Sequence, residues 1–139
     1  MAEDQAEGKE HLSFDLQKLT EMAESQEGID LTLVNPGDFI VLRTRNSIYA
    51  INVQFPANKG KNKSCKGIIK GGVFPEPTHI EVRGATSGGT AIIIHQLKKG
   101  MPAEFAQPLE ESERIGFSKY KFITTSTVES LGIVKTQET

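Results

Sequence analysis

The sequence predicts an all-β or β-rich α+β domain: a small β-barrel or sandwich of about seven or eight short strands with one N-terminal amphipathic helix. Three observations lead there. From Ile29 onward apolar residues recur with a period of two. Two β-rich runs, 38–44 and 47–54, are separated only by Arg45 and Asn46. Turn residues, chiefly Gly, Pro, Asn and Asp, recur at close spacing between such runs.

Taken in chain order, residues 1–11 carry Glu3, Asp4, Glu7 and Glu10 against Lys9 and are expected to be a flexible acidic tail. Residues 12–135 are expected to form a single β-rich domain. The helix is expected over 13–27, because Leu12, Leu16, Leu19, Met22 and Ala23 fall at three- and four-residue spacings and make one apolar stripe. Ser13 is placed to cap the first turn, Asp15 suits the positive end of the helix dipole, and Gly28 supplies a stop. Ile29, Leu31 and Leu33 then alternate with Asp30 and Thr32 before a turn at Asn35, Pro36, Gly37 and Asp38.

The runs 38–44 and 47–54 read as a hairpin. A two-residue loop pairs Thr44 with Ser47, Leu42 with Tyr49, Ile40 with Ile51 and Asp38 with Val53. That register places Ile40, Leu42, Tyr49, Ile51 and Val53 on one face and leaves Phe39, Val41, Arg43, Ile48, Ala50 and Asn52 on a mixed one. Residues 55–64 read as a polar loop and 66–70 as a short strand. Gly71, Gly72 and the segment 74–77, with its two prolines, are expected to break the chain. Residues 78–84 alternate, with Ile80 and Val82 facing one way and His79, Glu81 and Arg83 the other. The segment 84–89 reads as a flexible connector. Residues 90–97 read as a strand, whose unbroken run of Ala91, Ile92, Ile93 and Ile94 predicts cover on both faces. Short strands are expected at 103–106, 120–125 and 127–134, around an acidic loop over 108–118, and the last five residues are expected to fray.

Composition sets outer limits. A chain of 139 residues is long enough for one core without disulfides or metals. At 37% hydrophobic residues and a mean hydropathy of -0.33, with no apolar run approaching the roughly 20 residues that span a bilayer, no membrane role is expected. The acidic start lacks the basic and apolar regions of a secretory signal, so a cytoplasmic location is expected. Asn62, Lys63 and Ser64 match a glycosylation sequon, which such a location makes a chance match. A formal net charge of -2 offers no global attraction to nucleic acid, so any such binding must come from a local patch.

Several constellations bear on possible chemistry. His79 and Glu81 match the H-x-E of zinc deaminases, but the single cysteine, Cys65, cannot complete the P-C-x-x-C half of that site. Their spacing also suits a metal strand of the cupin type, where a second histidine would stand in place of Glu81. The plainer reading is a solvated strand face. His95, at the end of an apolar strand, is a candidate general base, though more ordinarily a strand-end hydrogen bonder. Cys65 lies between Lys63 and Lys66, which favours thiolate, but no partner histidine is placed beside it. The glycines at 84, 88 and 89 suit an anion nest, but match neither a P-loop nor a dinucleotide fingerprint. No cofactor or metal is therefore expected.

Lys59, Lys61, Lys63, Lys66 and Lys70 place five lysines in twelve residues with no acid among them. They are the best candidates for binding a polyanion, although Phe55 and Phe74 only flank the run and it holds no aromatic for stacking. The leading functional expectation is a non-enzymatic binding or interaction module. The alternatives are a small hydrolase or isomerase using His79, Glu81, Arg83 and His95, or a subunit of a larger assembly joined through a sheet edge or the helix. A protein partner and homo-oligomerisation are both compatible with these residues.

Overall fold

A computed structural model of the chain describes residues 15–87, 91–114, 116 and 118–135. The acidic tail, Leu12, Ser13, Gly88, Gly89, Thr90 and residues 136–139 lie outside the described residues. The elements are α1 (Leu16–Met22), β1 (Glu24–Gln26), β2 (Gly28–Asp30), β3 (Phe39–Thr44), β4 (Ile48–Phe55), β5 (Cys65–Gly71), β6 (Phe74–Ser87), β7 (Ala91–Ile94), β8 (Gln96–Lys98), β9 (Pro102–Pro108) and β10 (Tyr120–Val134). Single 3-10 turns occupy Lys59–Lys61 and Glu111–Glu113. Six strands close into an antiparallel barrel in the order β3-β4-β5-β6-β9-β10, with β10 returning to pair with β3. β1 adds to β10, β7 adds to β6, and β2 with β8 forms a small separate ribbon.

The predicted hairpin is β3–β4. Leu42 pairs with Tyr49 and Ile40 with Ile51. The Thr44 N–H donates to the Ser47 carbonyl at 2.8 Å, and the Val53 N–H donates to the Asp38 carbonyl at 2.9 Å. Arg45 and Asn46 make the turn. The face predicted to be apolar lines the barrel interior with Cys65, Ile69, Ile80, Val82 and Phe105. At its centre Tyr49, Phe74 and Phe105 meet with ring centroids 6.0 to 6.4 Å apart, two of the three pairs edge-to-face, the arrangement aromatic quadrupoles favour. Most of the mixed face is covered, with Arg43 left exposed. Phe39, Val41 and Ala50 are covered by Leu19 of α1, with Leu16, Ala23 and Ile48 packed at the margin. Burying Leu19 there is worth about 1.5–3 kcal/mol, so the helix stripe covers its own sheet.

The helix is shorter than its periodicity implies. Asp15 is the N-cap, its carboxylate accepting the Lys18 N–H at 3.1 Å. Ala23 ends the helix in extended conformation, because residues 24–26 are taken by the edge of β10. Gly28 opens β2 instead of stopping the helix. Pairing with a waiting strand edge outweighs a helix propensity worth tenths of a kcal/mol per residue. Met22, assigned to the stripe, is 53% exposed, and Leu33 lies exposed in a turn after β2.

Four further expectations are corrected. Residues 74–77 do not break the chain; they begin β6, and the register slips between Ile69 and Gly71 so that the proline segment bulges from the ladder. Residues 84–87 are no connector, because they continue β6 and pair with β7. The run 91–94 is not covered on both faces. It is an edge strand, with Ile93 39% and Ile94 53% exposed. Residues 120–134 form one strand, not two, with bulges near Thr124–Thr127 and Val128–Ser130.

Phe105 is fully buried at the aromatic centre. Phe105→Ala should destabilise the domain by about 3–5 kcal/mol, read as a lower denaturant midpoint with an unchanged slope. A change within the about ±0.5 kcal/mol typical of surface positions would show that this packing is not the centre of the core.

Candidate functional site

Alternation along each barrel strand sends every second side chain outward, and the ladder aligns these outward residues in rows. One row crosses five strands. Phe55 of β4 pairs with Lys66 of β5, Lys66 with Glu81 of β6, Glu81 with Ala106 of β9, and Ala106 with Phe122 of β10. Both ends are aromatic and exposed, Phe55 by 63% and Phe122 by 52%.

Phe55 is outward because of a bulge. Ile51 and Val53 point into the barrel, and strict alternation would send Phe55 after them. Between Val53 and Phe55 the β4–β5 register slips: β4 advances two residues while β5 goes from Gly67 to Lys66. The extra residue, Gln54, reverses the phase and turns the Phe55 ring out. The ring then lines a groove of about 400 Å³ with Pro56, Asn58, Lys61, Lys63, Ser64 and Lys66. The groove wall is the loop between β4 and β5. It is shaped by the Lys59–Lys61 turn, where the Asn58 side chain accepts the Lys61 N–H at 3.1 Å, and by a backbone bridge between Asn58 and Lys63.

The structure gathers Lys61, Lys63 and Lys66 around this groove. Lys59 stands on the same turn, outside the groove lining; hydrogen bonds from Thr32 chiefly hold the Asp30 carboxyl below its usual value, and the Lys59 charge adds a little to that. Lys70 sits apart, on β5 opposite Ala50. Among the described residues, none of the five enters an ion pair. Glu110, Glu111 and Glu113 of the acidic loop are exposed on their own turn, where the Glu113 carboxylate accepts the Glu110 N–H at 3.0 Å.

Towards the Phe122 end lies a second concavity of about 270 Å³, lined by Asn62, Ser64, Glu81, Arg83, Ile94, His95, Ala106, Tyr120 and Phe122. The Arg83 Nε stands 3.5 Å from Glu104 Oε2, and its guanidinium carbon lies 4.9 Å from the centre of the Phe122 ring. The Tyr120 hydroxyl donates to Glu81 Oε2 at 3.4 Å. The Glu81 charge beside it raises the Tyr120 pKa above the usual phenol value, with partial burial adding to the effect. His79 faces the solvent on β6, paired with Ile68, and does not line this concavity. Three of the four dispersed residues therefore converge, and His79 does not. Tyr120 and Phe122 were missed in the sequence because a residue's place in a row depends on its partner strand.

His95 adopts a left-handed backbone, φ 67°, which ends β7 and starts β8. Its N–H donates to the Arg83 carbonyl at 3.0 Å and its carbonyl accepts the Leu31 N–H at 2.8 Å. The side chain is 5% exposed, and Nδ1 has no hydrogen-bond partner. The strand-end hydrogen bonding expected of His95 is thus made by its backbone. Among the described residues no three His, Cys, Asp or Glu side chains cluster as metal ligands. No helix of the described residues is long and apolar enough to cross a membrane.

Cys65 is fully buried and points into the barrel, away from Lys63 and Lys66. Burial pushes its thiol up to about 12, the opposite of an activated nucleophile. No family model, curated protein or solved structure matches this chain.

Two outcomes follow from these environments. Cys65 should react with a thiol reagent near neutral pH about 1000-fold more slowly in the folded protein than in denaturant, the factor by which a three-unit rise in pKa depletes thiolate. Similar rates in the two states would contradict the buried placement. In an absorbance titration at alkaline pH, Glu81→Gln should bring the Tyr120 transition down toward the usual value, with Tyr120→Phe identifying that transition. Because the folded-state pKa is raised, the stabilisation linked to protonated Tyr120 is present below about pH 10 and is lost as pH rises through the folded-state value. An unmoved transition in Glu81→Gln would remove Glu81 as the cause.

Proposed function

We propose that this chain is a non-enzymatic binding module that takes a polyanion in the groove beside the β4–β5 loop. The observation that supports this most is the set of ammonium groups around the groove. Lys61, Lys63 and Lys66 converge there, and each is free of a carboxylate partner among the described residues. Ammonium groups on flexible stems act as point charges, so the binding is electrostatic and tolerant of ligand sequence. With a formal net charge of -2 over the whole chain, attraction to a polyanion has to come from such a local patch.

A second reading, a small hydrolase or isomerase, draws on the convergence of Glu81, Arg83 and His95 in one concavity and on the unpartnered Nδ1 of His95. Against it, Glu81 is engaged by Tyr120 and Arg83 stands beside Glu104, so neither side chain is held as the partner a general base needs. Ester hydrolysis by the purified protein that disappears in His95→Ala would favour this reading; turnover equal to buffer would dismiss it.

Low-molecular-weight heparin serves as the generic probe for the leading reading. The wild type should bind it at about 50 mM salt and more weakly, by about 10- to 40-fold, at about 200 mM, and Lys61→Gln, Lys63→Gln and Lys66→Gln together should abolish binding. Absence of salt-sensitive binding by the wild type, or undiminished binding by the triple variant, would overturn the polyanion reading.

A further inference from the structure

We infer that the polyanion is a single-stranded nucleic acid, lying across the outside of the barrel from Phe55 to Phe122; the inference rests on the polyanion reading above. The lysines account for attraction to any phosphate or sulfate chain, but they do not account for the aromatic rings. Phe55 stands in the groove among the three lysines, the place where a backbone phosphate would be held. Its exposed face has no role in barrel packing, since the bulge at Gln54 takes it out of the core that Ile51 and Val53 enter. At the other end of the same cross-strand row, Arg83 stands near the Phe122 ring while leaving it 52% exposed, and Tyr120 lies beside it with ring centroids 6.4 Å apart.

Unpaired bases are the ligand groups that match this pattern. Every base offers a π-face, so base-on-aromatic stacking is tolerant of sequence, as is the lysine attraction. A duplex keeps its bases stacked inside, and a sulfated sugar has none, so neither would gain from Phe55 and Phe122. The row crosses four strand-to-strand steps, about 19 Å along the surface at the usual spacing of about 4.8 Å. That length suits a footprint of about 4–6 nucleotides, the lower end of the range for small barrels. Of the carboxylates on the route, Glu104 stands within ion-pair distance of Arg83, whereas Glu81 keeps its charge beside Tyr120, so the phosphates would be held at the lysine end of the row. Between the aromatic ends Ala106, 3% exposed, is a small side chain on the floor of the second concavity.

The test is anisotropy at about 50 mM salt with three labelled probes: a mixed-sequence single strand of about 12 nucleotides, the matched duplex, and low-molecular-weight heparin. The single strand should bind tightest, and its log–log salt slope should be about -2 for three phosphates neutralised. Phe55→Ala and Phe122→Ala should each weaken single-strand binding by about 5- to 100-fold, the range that stacking one base supplies, while leaving heparin binding unchanged. Both side chains are more than half exposed, and an unchanged thermal midpoint verifies that each variant is folded. If all three probes bind alike, or if the aromatic variants weaken heparin as much as the single strand or weaken neither, the nucleic-acid inference fails and the polyanion reading stands. If no probe shows salt-sensitive binding, both fail.

Discussion

The barrel closes because one strand, β10, serves two neighbours. Its first half pairs with β9 and its second half with β3, and the sheet has to curve for both pairings to form in a closed barrel. Two bulges make the turn. At the first, the Thr125 hydroxyl accepts the Ala103 N–H at 3.0 Å and itself donates to the Ser126 carbonyl. A side chain thus satisfies a backbone donor that the slipped ladder leaves over. At the far end of the strand the Lys135 Nζ donates to Asp38 Oδ2 at 3.0 Å, and the same oxygen accepts the Asn35 N–H. Asp38 is fully buried, so a carboxylate there depends on that lysine and that N–H. This pair ties the end of β10 to the turn that opens β3, across 97 residues of chain.

Closure decides where a ligand site can be. A six-stranded barrel is narrower than the eight-stranded barrels that hold a small ligand. Here the interior is filled by Tyr49, Phe74, Phe105 and the aliphatic residues between them, so the bore offers no ligand chamber. In the proposed reading, recognition therefore falls to the outside. On that surface the pleat aligns residues far apart in the chain, and a row such as Phe55, Lys66, Glu81, Ala106 and Phe122 draws on five strands. The edge strand β7 is the opposite case, an apolar run left without a second strand neighbour among the described residues.

By itself, the sequence determined the local features: the β-rich class, the hairpin register from 38 to 54, the inward set of Ile40, Leu42, Tyr49, Ile51 and Val53, and the outward set of His79, Glu81 and Arg83. These depend on a period of two and on a short turn, both written within a few residues. The tertiary structure decided the features set by distant pairing. Whether 24–26 continue a helix depends on the free edge of β10, and whether 91–94 are covered depends on what lies beyond β7. The lysine run was legible as charge, but its aromatic partner was not. Phe55 reads from sequence as the start of a polar loop that only flanks the lysines; in the structure it ends β4, where the slip against β5 turns its ring outward. A bulge is a mismatch between two strands, so neither strand's sequence contains it alone.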